Sequence, residues 1–230
     1  MKRLIPLVIA CLALLACGSA QTTRPVNSQL TWSGYAWAVR SGKGNPGSCR
    51  HWNPQNVEVD SHGHLHLKVA QDCAEIHSEQ YTGYGTYSYS VLSDLRHLDP
   101  SVVLGLFTYD ELETHPGNSE IDVEVGRVND FQSPDPLTFS VQPTTSDLTR
   151  REKTSPLGPP PYTVTFVWAP TQVTFVVTDV TGAVHTFVGT DLPAPPAKTT
   201  RAYVNLWHNK SPRKPVEVVL GSFHYARGGL

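Results

Sequence analysis

The chain has no basic surplus: 18 Lys and Arg stand against 20 Asp and Glu, a net charge of −2 over 230 residues. Without a basic stripe it offers no footprint for a phosphate backbone, which argues against a nucleic-acid partner. Beyond the first 15 residues there is no long apolar run, so no transmembrane helix is expected. A 3.6-residue apolar period long enough for a helix is also missing, as are a GxSxG nucleophile context, a phosphate-binding glycine loop and any internal repeat. Cysteine is sparse, with 4 in the chain.

What stands at the N-terminus is an export signal. Lys2 and Arg3 form a short basic segment, and Leu4 to Leu15 is apolar but too short to span a bilayer. Leu14-Leu15-Ala16-Cys17 then reads as a bacterial lipobox, with Cys17 the lipidated first residue of the mature chain; the competing reading is ordinary secretion with cleavage after Ala20. Cys11 has too little apolar chain before it for that role. Residues 1–16 are therefore a signal peptide, 17–30 a polar tether, and 31–230 one domain. Removing the signal leaves 16 basic against 20 acidic residues, a charge of −4. The expected location is the bacterial outer membrane, held only through the lipid and facing the periplasm or the cell surface, or else the secreted fraction. Cys49 and Cys73 remain, and in an exported chain such a pair reads as a disulfide, with two free thiols as the alternative. Zinc is disfavoured, because neither cysteine has a close cysteine partner.

The rest reads as short strands. Leu65, Leu67 and Val69 alternate with polar neighbours, as do Tyr162, Val164, Phe166 and Trp168, and then Val173, Phe175 and Val177. Asp179-Val180-Thr181-Gly182 is a turn, Val184 to Val188 returns, and Val216 to Tyr225 is a last strand. The 19 prolines and 17 glycines fit many loops. The expected architecture is all-β, a two-sheet antiparallel sandwich. His62, His64 and His66 invite a metal reading. However, Asp60-Ser61-His62-Gly63 looks like the turn before a strand, which takes His62 off the face and leaves two solvated histidines.

The most informative stretch is Glu120-Ile121-Asp122-Val123-Glu124. On a strand its carboxylates share one face, and Ile121, Val123 and Val125 share the other. Folding has no use for three adjacent acids. The outer Cα atoms would be roughly 13 Å apart, close enough for inward-leaning Glu side chains to approach about 5–6 Å, and a pair about 5–5.5 Å apart is what a retaining glycosidase uses. Asn205 and Trp207 share a face of another strand and have the polar-plus-aromatic character of a sugar site, although Trp207 reads equally as core.

ExDxE after the apolar run Val102–Tyr109 resembles the signature of glycoside hydrolase family 16. The resemblance covers roughly Ser33 to Arg227 and is nearest to the bacterial lichenases, endo-β-1,3-1,4-glucanases. Asp72-Cys73-Ala74-Glu75 looks like their DCAE segment, with Cys49 at the place of the disulfide partner. Tyr84-Gly85-Thr86-Tyr87, Phe107-Thr108-Tyr109, Val167-Trp168 and Asn205-Leu206-Trp207 also resemble lichenase segments. This implies a concanavalin-like jelly roll with a glycan cleft on its concave face. It also implies Glu120 as nucleophile, Asp122 as its electrostatic assistant and Glu124 as acid/base. Glu75, Phe107, Tyr109, Asn205 and Trp207 would line donor subsites.

The departures lie in the same cleft. Asn118 stands where lichenases carry Trp, His77 where they carry Arg, and Ser140 and Gln142 where they carry Asn and Tyr. Gln142 is a further candidate substrate contact. The expected activity is retaining hydrolysis of β-1,3- or mixed β-1,3-1,4-glucan by a monomer, with Glu124 protonated at rest and no cofactor. Some family members hold a structural Ca²⁺, which the resemblance allows here and the sequence alone does not confirm. The alternatives are a transglycosylase on the same machinery and a glycan-binding lipoprotein without turnover.

Overall fold

A computed structural model describes residues 28–112, 116–127, 137–143, 151–154, 157–190, 192 and 195–228. The signal peptide, Cys17 and the tether up to residue 27 lie outside the described residues. In chain order the strands are β1 (Gln29–Trp32), β2 (Tyr35–Val39), β3 (Val57–Val59), β4 (Leu65–Val69), β5 (Ala74–Ser78), β6 (Gly85–Val91), β7 (Val102–Tyr109) and β8 (Ile121–Gly126). They continue with β9 (Leu137–Val141), β10 (Arg151–Thr154), β11 (Tyr162–Ala169), β12 (Gln172–Thr178), β13 (Val184–Gly189), β14 (Arg201–His208) and β15 (Val216–Arg227). Among the described residues the only helical pieces are three short 3₁₀ turns, and no helix is long and apolar enough to cross a membrane.

Two antiparallel sheets stack as expected. The front sheet has 8 strands in the order β1-β2-β5-β14-β7-β8-β9-β10, and the back sheet has 7, in the order β13-β12-β11-β6-β15-β4-β3. Period-two alternation fills the space between them. Leu65 and Leu67, Phe166 and Trp168, Val173 and Phe175 are all buried, and they meet the inward residues of the front sheet. Phe139 of β9, for example, lies 5.2 Å from Phe175 of β12, ring centre to ring centre. The turn at Asp179 forms as read: its Oδ1 accepts from the Thr181 amide at 2.8 Å, and Gly182 supplies a φ of +82°. One boundary differs from the sequence reading. Gln29 and Leu30, placed in the tether, pair with Ala38 and Trp37 as the start of β1.

Cys49 and Cys73 form a disulfide across 24 residues, with Cα atoms 5.7 Å apart. It ties the loop after β2 to the start of β5. Closing a loop of that length stabilises the fold by about 3 kcal/mol on the chain-entropy model.

Candidate active site

The site is laid out by β8, which runs between β7 and β9 in the front sheet. Ile121, Val123 and Val125 are 0–1 % exposed and face the core, so Asp122 and Glu124 must face outward. Glu120 immediately precedes the strand and is held in line by its carbonyl, which accepts from the Gln142 amide at 3.0 Å.

Strand register then assembles rows across the sheet. Glu75 of β5, Asn205 of β14, Gly105 of β7, Glu124 of β8 and Thr138 of β9 lie side by side. The adjacent row is His77, Tyr203, Phe107, Asp122 and Ser140. Residues directly opposite on one face are about 4.5–5.5 Å apart at Cβ. The sheet thus presents a floor in which Asp122 and Glu124 lie beside polar and aromatic groups, with Glu75 at the far end of one row. Gly105 is required there, since a Cβ at this position would stand 2.4 Å from Asn205 Oδ1.

Above the floor is an open cleft of about 470 Å³ lined by all three carboxylates. Asp122 is 4 % exposed. Its Oδ2 accepts from the Ser140 hydroxyl at 2.9 Å and from the Gln142 side-chain amide at 3.0 Å, which favours its ionised form. Burial first, then repulsion from Asp122 and Glu124, pushes Glu120 up to about 9. Glu120 is thereby held toward its neutral form.

The candidate binding residues Glu75, Phe107, Tyr109, Asn205 and Trp207 all line the same cleft. Gln142 acts instead on Asp122. Glu75 is almost fully buried, and its carboxylate accepts from Arg40 Nη1 at 2.8 Å and from Asn205 Nδ2 at 3.1 Å. Burial raises its pKa against the pull of Arg40. Trp207 is a core residue that also borders the cleft. It is 6 % exposed and packs so closely under Gly47 that a Cβ there would lie 2.5 Å from its ring, yet one edge reaches the cleft.

Sequence reasoning missed Tyr203, Arg40, Glu111 and the Asn45-Pro46 loop, all of which line the cleft. Tyr203 stacks on Phe107 at 5.0 Å and stands edge-on to Tyr109 at 6.0 Å. It sits two residues before Asn205 on the same strand face, so alternation could have found it. His77, the replacement for an expected Arg, lies 5.2 Å from Tyr203, and burial lowers its pKa. Five carboxyl side chains, those of Glu75, Glu111, Glu120, Asp122 and Glu124, line the cleft with one guanidinium, that of Arg40. Arg40 is already paired with Glu75 and lies over Trp52 at 4.5 Å. Such a cleft repels acidic polymers and suits a neutral one.

No protein-family model matches the chain, and no curated protein matches it in sequence. Solved structures do match. A β-glucanase of Bacillus licheniformis superimposes with a TM-score of 0.63 at 20 % identity, covering 84 % of this chain and 92 % of its own. The transglycosylase Crh5 gives a TM-score of 0.56 at 18 % identity, covering 84 % and 79 %. A pseudo β-1,3-glucanase of Mycobacterium tuberculosis, an immunostimulatory antigen, gives 0.57 at 18 % identity, covering 84 % and 91 %. The chain thus has the two-sheet sandwich fold of the β-glucanases, the fold that its resemblance to glycoside hydrolase family 16 implies.

Proposed function

We propose that the protein is a retaining endo-β-glucanase that cleaves β-1,3-containing glucan, either β-1,3 or mixed β-1,3-1,4. The observation that carries this reading is the set of three carboxyl groups, two on one face of β8 and one just before it, in an open cleft beside an aromatic and amide floor. An open cleft admits the middle of a polymer. Flat sugar faces stack on rings such as Phe107 and Tyr109, and hydroxyls bond to Asn205 and Glu75.

In this mechanism Glu120 attacks the anomeric carbon while Glu124 protonates the departing oxygen. The covalent glycosyl-enzyme is then released by a water that Glu124 deprotonates. The three carboxyl groups share protons as one system. A proton resting on Glu120 has only to pass to Glu124 for both groups to reach their working states, with no change in the charge of the cleft. Asp122 stays ionised through its two donors and stabilises positive charge developing on the sugar ring. No step uses a cofactor.

The test is release of reducing ends from mixed-linkage β-glucan, laminarin, cellulose and a galactan. Cleavage of the first two with cellulose intact is expected. Strong activity on cellulose, or on the galactan alone, would refute the glucanase reading. Larger products with no net gain in reducing ends would favour transglycosylation, the activity named for one structural neighbour. No turnover on any glycan, with retained binding, would place the chain beside the pseudo-glucanase. We place the enzyme outside the cytoplasm as a monomer, held by a lipid on Cys17.

A further inference from the structure

On the back sheet, away from the cleft, three imidazoles surround one carboxylate oxygen. Asp60 Oδ2 stands 3.5 Å from Nδ1 of His62, 3.6 Å from Nδ1 of His64 and 3.4 Å from Nε2 of His66. The sequence reading took His62 off this face as a turn residue. The turn does form, but it brings His62 back: Asp60 Oδ1 accepts from the amides of His62 and His64, each at 2.8 Å, and this loop folds both rings over Oδ2. Leu65 and Leu67 point into the core, so His64 and His66 point outward together.

We infer that Asp60, His62, His64 and His66 form a site for a divalent transition-metal ion, with Zn²⁺ as the best fit. The separations from Asp60 Oδ2 are long for hydrogen bonds. Each separation from Asp60 Oδ2 is near the ligand–ligand spacing of about 3.3–3.5 Å in a zinc tetrahedron, while the nitrogens stand farther from one another, so the rings must turn inward to complete it. Imidazole nitrogen with one carboxylate oxygen is a donor set that Zn²⁺, Ni²⁺ and Cu²⁺ favour over Ca²⁺ or Mg²⁺.

The outer partner is also present. His66 Nδ1 lies 2.9 Å from Glu217 Oε1, so the ring donates that proton to Glu217 and its other nitrogen faces Asp60. In a neutral ring that nitrogen is a lone pair aimed at an anion, an arrangement that a cation between them relieves. A carboxylate behind a histidine in this way also orients the ring and raises its basicity toward a metal. Glu217 is itself held by Lys68 at 3.6 Å. The rings surround Asp60 Oδ2 without yet closing on one point. His62 is 78 % exposed and stacks on His64 at 5.9 Å, so both rings are free to turn inward onto an ion.

The test is calorimetric titration of Zn²⁺ at pH 7.5 into the full chain, disulfide intact and stripped by a chelator. Saturable binding of one ion per chain is expected, along with a higher melting temperature. His64→Gln should weaken binding at least about tenfold. Glu217→Gln, which removes no direct ligand, should weaken it by about 10–100-fold. Glu124→Gln should bind as wild type does. The inference is overturned if no saturable binding occurs at 100 µM Zn²⁺, or if both His62→Gln and His64→Gln bind as tightly as wild type. It is equally overturned if Glu124→Gln abolishes binding, since the ion would then sit in the cleft.

Discussion

The side-chain amide of Gln142 donates to Asp122 Oδ2 at 3.0 Å, joining the Ser140 hydroxyl on the same oxygen. A strand with no acid of its own thereby tunes the middle acid of its neighbour. Gln142→Ala removes one bond to a charged acceptor, a loss of about 1.5–3 kcal/mol. The ionised form of Asp122 then loses a donor. The expected result is a fall of about 10–100-fold in kcat/KM on β-glucan, with the acid limb of the pH profile moved to higher pH. A lower rate with an unmoved acid limb would reduce Gln142 to a structural role.

The raised pKa of Glu120 has a stability consequence. In the unfolded chain a Glu titrates near its ordinary value, about 4.3; in the folded chain Glu120 is pushed up to about 9. Between those values the folded state binds the extra proton, so stability from this group is complete below about pH 4 and declines as pH rises toward 9. Glu120→Gln cannot ionise and escapes the decline. Its melting temperature should exceed that of wild type by a margin that grows from pH 5 to pH 9, reaching about 1–3 kcal/mol in stability. A margin that is constant or shrinks over this range would contradict the assignment.

The two Glu roles separate through leaving-group dependence. A sugar leaving group needs an acid, whereas an aryl group with a good leaving oxygen does not. Glu124→Ala should lose about 10²–10⁴ in rate on polysaccharide and far less on an activated aryl β-glycoside. Added azide should then give the β-glycosyl azide. Glu120→Ala should turn over neither substrate unaided and, with azide in the vacated space, should give the α-azide by a single inversion. The anomeric configurations are read by NMR, and an exchange of the two would reverse the assignments.

Lipidation rests on the Leu14–Cys17 segment. Cys17→Ser should shift the protein from the membrane fraction to the soluble fraction. If both versions are equally soluble, with a mature N-terminus at Gln21, the anchor is disproved.

The sandwich was legible because alternation is a local signal. Tyr162–Trp168 and Leu65–Val69 each declare an inner face, and two-sided burial follows. The acids of β8 were legible for the same reason. Tyr203 was passed over although it shares the face of Asn205, because an isolated aromatic on a strand reads as core. Arg40 and Asn45 reach the cleft only through the path of the loop after β2, which no local period encodes. The turn at Asp60 was legible, but the approach of the His62 ring to Asp60 was not, because it depends on two side-chain-to-backbone bonds. The raised pKa of Glu120 was not legible, because its cause is burial, a property of the assembled sheet.

The acids of β8 are mounted on Ile121, Val123 and Val125, which are packed solidly into the core behind them. Asn45 and Pro46, at the rim of the cleft, come from a connecting segment that no ladder constrains. The carboxylates and the loop residues beside them can therefore change independently. A lineage can exchange the rim residue by residue while the interior vetoes changes beneath the carboxylates.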